Sequence, residues 1–191
     1  MGLAYFKKLD QERKISFRVV NMSFSIYYSS QILYSAMEQM DDKLFVVAAG
    51  NSGDDNVSQN LDRERGRFPA AWTLSNKLAV AATDANDELA NFSNYGKNTV
   101  DIAAPGKNIL SCVKGGGYEE WQGTSMASPI VAGAAALLFA INPDLTVQQA
   151  KAFLALGADA LPSLKDKVKG GLRLNVYNSV WQLWMLRKMK K

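Results

Sequence analysis

Apolar positions along the chain fall into two textures. Near-continuous runs rich in Val, Ile and Ala, bounded by Gly, Asn and Pro, occupy residues 18–22, 44–49, 78–83, 100–104 and 109–113. Strands covered on both faces have that texture, so these runs are predicted as a parallel sheet sandwiched between helices. Between the first two, across residues 28–40, Ile32, Leu33, Ala36, Met37 and Met40 recur at helical spacing. Strand, helix and strand at that length make a crossover unit.

The second half is helical. Residues 124–141 are small and apolar all round and are predicted as a buried central helix. Thr146 suits an N-cap for a helix over 147–156, and Gly170-Gly171 marks a turn before a last helix over 175–189. That helix puts Val176, Val180, Leu183 and Trp184 on one face, expected to dock on the sheet. Its basic end (Arg187, Lys188, Lys190, Lys191) suits a helix C-terminus. The alternative for it is a membrane-surface helix. No repeat or domain boundary interrupts the pattern, so residues 1–191 read as one α/β domain of three layers with a mostly parallel sheet.

Composition narrows the chemistry. With 191 residues, 48% hydrophobic and 21% charged, the chain is an ordinary globular protein. Its net charge of +4 is mild, and no stretch interleaves aromatics with Lys and Arg, so no nucleic-acid partner is expected. A single cysteine, Cys112, excludes an intramolecular disulfide and is expected to sit inert in an apolar strand. Histidine is absent, which removes the usual proton shuttle and metal ligand. Asp54, Asp55, Asp62 and Glu64 alternate with Arg63, Arg65 and Arg67, as in a solvated loop rather than a metal site. Gly115-Gly-Gly117 lacks the Gly-Lys-Ser/Thr of a phosphate loop and reads as a hairpin turn. The run 130–141 is short for a membrane span, and charges among the first residues (Lys7, Lys8, Asp10, Glu12) leave no signal-peptide core.

Two stretches carry chemistry. Gly123-Thr-Ser-Met-Ala-Ser-Pro129 sets Ser125 on a glycine-led turn at the start of an apolar helix, where the dipole favours negative charge. The same hydroxyls also suit plain helix capping. Val46-Val-Ala-Ala-Gly-Asn-Ser-Gly53 runs a buried strand into a glycine turn, with Asn51 at its carboxyl end. Ligands sit at such ends in parallel sheets, although asparagine is also a common turn residue.

Those stretches occur in one order with Val20-Asn-Met-Ser23, Phe68-Pro-Ala70, Asn91-Phe-Ser-Asn-Tyr-Gly96 and Asp101-Ile-Ala-Ala-Pro-Gly106. From Val19 to about Val180 the chain resembles the C-terminal part of the subtilisin-like serine proteases, the subtilases. The resemblance implies a serine endopeptidase with Ser125 as nucleophile and Asn51, with the Ser125 backbone N–H, as oxyanion donor. It implies that Ser23, Phe24 and Ser25 pair with substrate backbone and wall the specificity pocket, opposite Ala48, Ala49 and Gly50. It implies a peptide or protein substrate and no cofactor or metal. Ile130 stands where the family usually has a histidine outside the triad, and Ser25 where it often has glycine, which narrows the wall. Asp101 aligns near a weak cation site of some members, too loosely to assign.

The family's catalytic Asp-Ser/Thr-Gly and His-Gly-Thr motifs have no counterpart here. The leading portion of the domain is therefore expected to be missing, and the isolated chain inactive for want of a general base. Three readings remain open: a protease fragment completed by another piece, a non-catalytic peptide-binding module, and a structural remnant. An edge left open at 18–22 is expected to self-associate or to take up the missing half. The family is often secreted, but the location of this chain is left unassigned.

Overall fold

The structure, a computed structural model, describes residues 2–13, 17–54 and 67–189. Of the acidic and arginine-rich loop read from the sequence, residues 55–66 lie outside the described residues, as do Lys190 and Lys191.

The sheet is built from the predicted runs. Strands β1 (Val19–Met22), β2 (Leu44–Ala48), β3 (Lys77–Thr83) and β4 (Ile102–Pro105) lie side by side, all parallel. Two short strands extend it: β8 (Leu172–Arg173) runs parallel to β4, and β7 (Asp159–Ala160) runs antiparallel to β8. The spatial order is β1-β2-β3-β4-β8-β7. Alternation along β2 defines the layers: Leu44 and Val46 enter one buried cluster, Phe45 and Val47 another. Successive strand residues face opposite sides, so each cluster is the contact between the sheet and one helical layer.

On the first side lies α3 (Thr124–Ile141), packed against β1 to β4 through Ala127, Val131, Ala135 and Leu138. Helices α4 (Val147–Gly157) and α5 (Val176–Met189) continue this layer. Thr146 caps α4 as expected, in a reciprocal pair: its Oγ1 accepts from the Gln149 N–H at 3.1 Å, and Oε1 of Gln149 accepts from the Thr146 N–H at 2.9 Å. At the end of α4, Gly157 lies so close to α5 that a Cβ there would sit 2.3 Å from the Ser179 nitrogen. On the second side, α2 (Gln31–Glu38) covers Phe45 and Val47 with Met37, beside Trp72 and Phe68. α1 (Gly2–Arg13) joins this side through Leu3 and an ion pair from Asp10 to the buried Lys43 at 2.8 Å.

Several sequence expectations need correction. The run 109–113 is not part of the parallel sheet. Its strand β5 (Ile109–Cys112) pairs antiparallel with β6 (Tyr118–Trp121) in a separate hairpin turned by Gly115 to Gly117. Both strands are largely exposed, and Cys112 with them. An apolar run of four or five residues does not say which sheet it joins. Helix α2 begins at Gln31, not 28, because the Ser30 hydroxyl accepts from the Leu33 N–H at 3.3 Å and caps it there. The α5 helix docks on α3 and α4 rather than on the sheet, and Trp184 faces outward at 39% exposure. The central helix is buried on one side only; Pro129, Gly133, Ala136, Leu137 and Ala140 are exposed.

Candidate active site

Strands β1 and β2 and the first turn of α3 meet at the carboxyl edge of the sheet. The backbone there is shaped by glycines. Gly50, at φ +111°, turns the chain sharply out of β2, and Gly123, at φ +148°, precedes α3. Gly123 is anchored through its N–H to the Gly106 carbonyl at 2.7 Å. A Cβ on Gly123 would stand 3.3 Å from Asn51 Nδ2, so a side chain there would crowd that amide.

Thr124, fully buried, links the two stretches singled out in the sequence. Its backbone N–H donates to Asn51 Oδ1 at 2.8 Å and its hydroxyl donates to the same oxygen at 2.9 Å. The hydroxyl also accepts from the Gly50 N–H at 3.1 Å. Two donors on one amide oxygen fix which way the Asn51 side chain faces. Its Nδ2 and the Ser125 backbone N–H donate to nothing among the described residues. They remain available at a helix N-terminus beside the Ser125 hydroxyl, an arrangement suited to an oxyanion.

Ser125 is half-buried and held against β1 from both directions. Its hydroxyl donates to the Ser23 carbonyl at 3.2 Å, and the Ser23 hydroxyl donates to the Ser125 carbonyl at 2.9 Å. Pro129 explains the second bond. In a regular helix the amide four residues on would bond the Ser125 carbonyl; proline has no N–H, and Ser23 fills the place. Behind them Ser128 Oγ donates to Asn21 Oδ1 at 2.5 Å, and Asn21 Nδ2 donates to Ser23 Oγ at 2.9 Å.

The structure thus brings Ser125, Asn51 and Ser23 together. Phe24 and Ser25 lie beyond them on an extended, exposed segment, and Ala48, Ala49 and Gly50 form the buried end of β2 and its turn. Sequence reasoning took Thr124 for a helix cap, whereas the helix has no side-chain cap and Thr124 holds Asn51, and it did not single out the supports Asn21, Ser128 and Asn94. Asn94 is buried, and its Oδ1 accepts from the Ser52 and Asp54 amides at 2.8 and 3.2 Å, holding the turn after Asn51. Each sits inside a quoted motif, so motif membership was the available signal; a polar residue's pull on a distant loop leaves no periodic trace.

No ionisable side chain bonds Ser125 among the described residues. Burial pushes Lys77 and Lys151 below the ordinary lysine value, with Asp101 opposing it in both. Lys77 opens β3 opposite Phe45, at the far end of the sheet from Gly50. At about 3.3 Å per strand residue, roughly 15 Å separates it from the serine edge, beyond reach of a base. Lys77 is instead tied to the Ala70 and Thr99 carbonyls, at 2.7 and 3.0 Å, and to Asp101 at 3.5 Å.

Comparison with known proteins accounts for this construction. Residues 4–174 match the family model described as Subtilase family, peptidase S8. The chain is 39% identical over 147 residues to "Subtilisin BL" of Lederbergia lenta, covering 76% of this chain and 50% of that protein. It is 42% identical over 128 residues to "Alkaline elastase YaB" of Bacillus sp. (strain YaB), covering 66% of this chain and 31% of the relative. Among solved structures, the "cold adapted subtilisin-like serine proteinase" superposes with TM-score 0.76 at 31% identity, over 91% of this chain and 60% of that one. The chain belongs to the subtilase family, with the subtilisin-like α/β fold. It spans half or less of the length of these two curated relatives.

Proposed function

We propose that this chain supplies the nucleophile and oxyanion-binding portion of a subtilisin-like serine endopeptidase acting on peptide or protein substrates. Ser125 attacks the scissile carbonyl, and the Asn51 Nδ2 and Ser125 N–H receive the developing oxyanion. The observation that carries this reading is the double clamp of Thr124 on Asn51 Oδ1, which leaves the amide nitrogen without a partner among the described residues. A module that only held peptides would have no use for such a donor pair. Segment 23–25 would pair with substrate backbone, opposite the wall at 48–50.

A base must come from outside this sequence, since it contains no histidine and its buried lysines lie at the other end of the sheet. We place the missing Asp and His on a separate segment of a longer subtilase domain. Two open surfaces support where it would dock: among the described residues β1 pairs only with β2, and the adjoining face of α3 is exposed at Pro129, Gly133 and Ala136. A groove of about 470 Å³ between them is lined by Val19, Ala136, Phe139, Ala140 and Pro143.

The test is complementation. Alone, the chain should not hydrolyse peptides; mixed with a segment bearing the missing Asp and His, it should, and Ser125→Ala should abolish the rate. Asn51→Ala should then lower turnover by roughly a hundredfold with little change in KM. Hydrolysis by the chain alone that Ser125→Ala removes, or an unchanged rate in Asn51→Ala, would overturn the assignment.

A further inference from the structure

Arg67 stands where the two walls of the proposed cleft come together. The residue after it, Phe68, bridges to Ile26: the Ile26 N–H donates to the Phe68 carbonyl at 2.9 Å, and the Phe68 N–H returns the bond at 3.0 Å. That bridge ties the chain at Arg67 to the continuation of segment 23–25. The Arg67 guanidinium lies over the Tyr27 ring, 4.2 Å from its centroid. On the opposite wall Nη2 donates to Ser52 Oγ at 2.6 Å. The stem runs against Gly50, where a Cβ would meet Arg67 Cγ at 3.0 Å. One cation therefore links Tyr27, two residues beyond segment 23–25, to Ser52, two residues beyond the 48–50 wall.

The Arg67 side chain is 11% exposed, so its charge is largely removed from water. The carboxylate paired with it among the described residues is Asp54, at 4.0 Å and 63% exposed, a loose contact of little worth. Arginine presents several N–H donors in a planar fork that matches a carboxylate in two-point contact, and its attraction strengthens where water is excluded. The flat face is already stacked on Tyr27, which fixes the plane of the fork.

We propose that Arg67 makes this cleft select peptides with an acidic side chain, Glu or Asp, at the residue preceding the scissile bond. The proposal rests on the cleft assignment made under the proposed function. It adds what that assignment leaves open, the chemistry of the preferred side chain. Gly50 has no Cβ, and the Arg67 stem and the Asn94 amide pack into the place one would take, which fixes Arg67 against this wall.

The experiment measures binding, so it needs no catalytic partner. Fluorescently labelled acetyl-Ala-Ala-Ala-Xaa-amide peptides, with Xaa as Glu, Gln, Phe or Lys, are titrated into the 191-residue chain at low salt. The Glu peptide should bind at least tenfold more tightly than its neutral isostere Gln, and Lys most weakly. Arg67→Gln should bring the Glu/Gln ratio close to one, whereas Arg67→Lys, which disturbs the same packing but keeps the charge, should retain most of it. Circular dichroism melts of both variants confirm folding, and the Lys variant keeps the comparison informative if the Gln variant is unstable. Peptides that all bind without a Glu preference, or a preference unchanged in Arg67→Gln, would overturn the role of Arg67 and leave the cleft assignment standing. Absence of binding by every peptide at millimolar concentration would overturn both.

Discussion

Replacing Thr124 by valine removes one oxygen from the centre of the site while keeping the side-chain shape. The hydroxyl is fully buried and works twice, accepting from the Gly50 N–H at 3.1 Å and donating to Asn51 Oδ1 at 2.9 Å. Valine strands a buried amide, at a cost of about 1–3 kcal/mol, while Asn51 keeps its bond to the Thr124 backbone N–H at 2.8 Å. A net loss of about 2 kcal/mol should lower the melting temperature by roughly 4–8 °C for a chain of this size. Urea denaturation followed by tryptophan fluorescence gives the free energy directly, and Thr124→Ser, which retains the oxygen, should recover more than half of the loss. In the complemented enzyme the loosened amide should show as a lower kcat at similar KM. A valine variant within about 0.5 kcal/mol of the parent would show that the Thr124 hydroxyl does not hold the turn, and the account of Asn51 orientation would fall with it.

The other predictions concern the scaffold. Gly157→Ala forces a methyl into the Ser179 backbone at 2.3 Å and should cost about 2 kcal/mol or more, since backbone must move; an unchanged melting temperature would contradict the packing of α4 on α5. Burial holds the Lys77 amine below its ordinary 10.5, against the attraction of Asp101, so the folded chain binds fewer protons than the unfolded one between that lowered value and 10.5. On that account stability rises with pH across the window, and Lys77→Met should flatten the rise; parallel stability curves for the two proteins up to pH 10.5 would refute it. The open side of β1, with the exposed face of α3 beside it, should make the isolated chain self-associate at micromolar concentration. Sedimentation showing a clean monomer would mean that this edge protects itself.

The parts of the fold legible in the sequence are those whose pattern reports burial on two sides. Leu44 to Ala48 is buried at every position, and its continuous apolar run announced a central strand. The run 109–112 has similar composition, yet belongs to an exposed hairpin, because composition does not encode which neighbour a short strand finds. Strands β7 and β8, two residues each, are too short for any period. At the site, local chemistry left Ser125 between a nucleophile and a helix cap and Asn51 between an oxyanion donor and a turn residue, and it was the resemblance that singled them out. The clamp by Thr124 on Asn51 and the support from Asn94 were not legible, since they join residues 73 and 40–42 positions apart, beyond the reach of any local pattern.

Pro129 and its consequence at Ser125 bear on the time order of folding. The bonds that seat the nucleophile join residues 102 positions apart in the chain, and Arg18 reaches the Pro143 carbonyl across 125. Local turns close quickly, whereas contacts at such separations require nearly the whole chain to have found its place. A helix start that would ordinarily satisfy its own carbonyl has, at this one position, been made to wait for a strand contributed from far upstream. Helical signal in refolding should therefore lead the formation of the serine site, and the site should be lost first on unfolding. Stopped-flow refolding that pairs far-ultraviolet dichroism with peptide binding would see the two phases separately, and coincident phases would show that helix and site form in a single step.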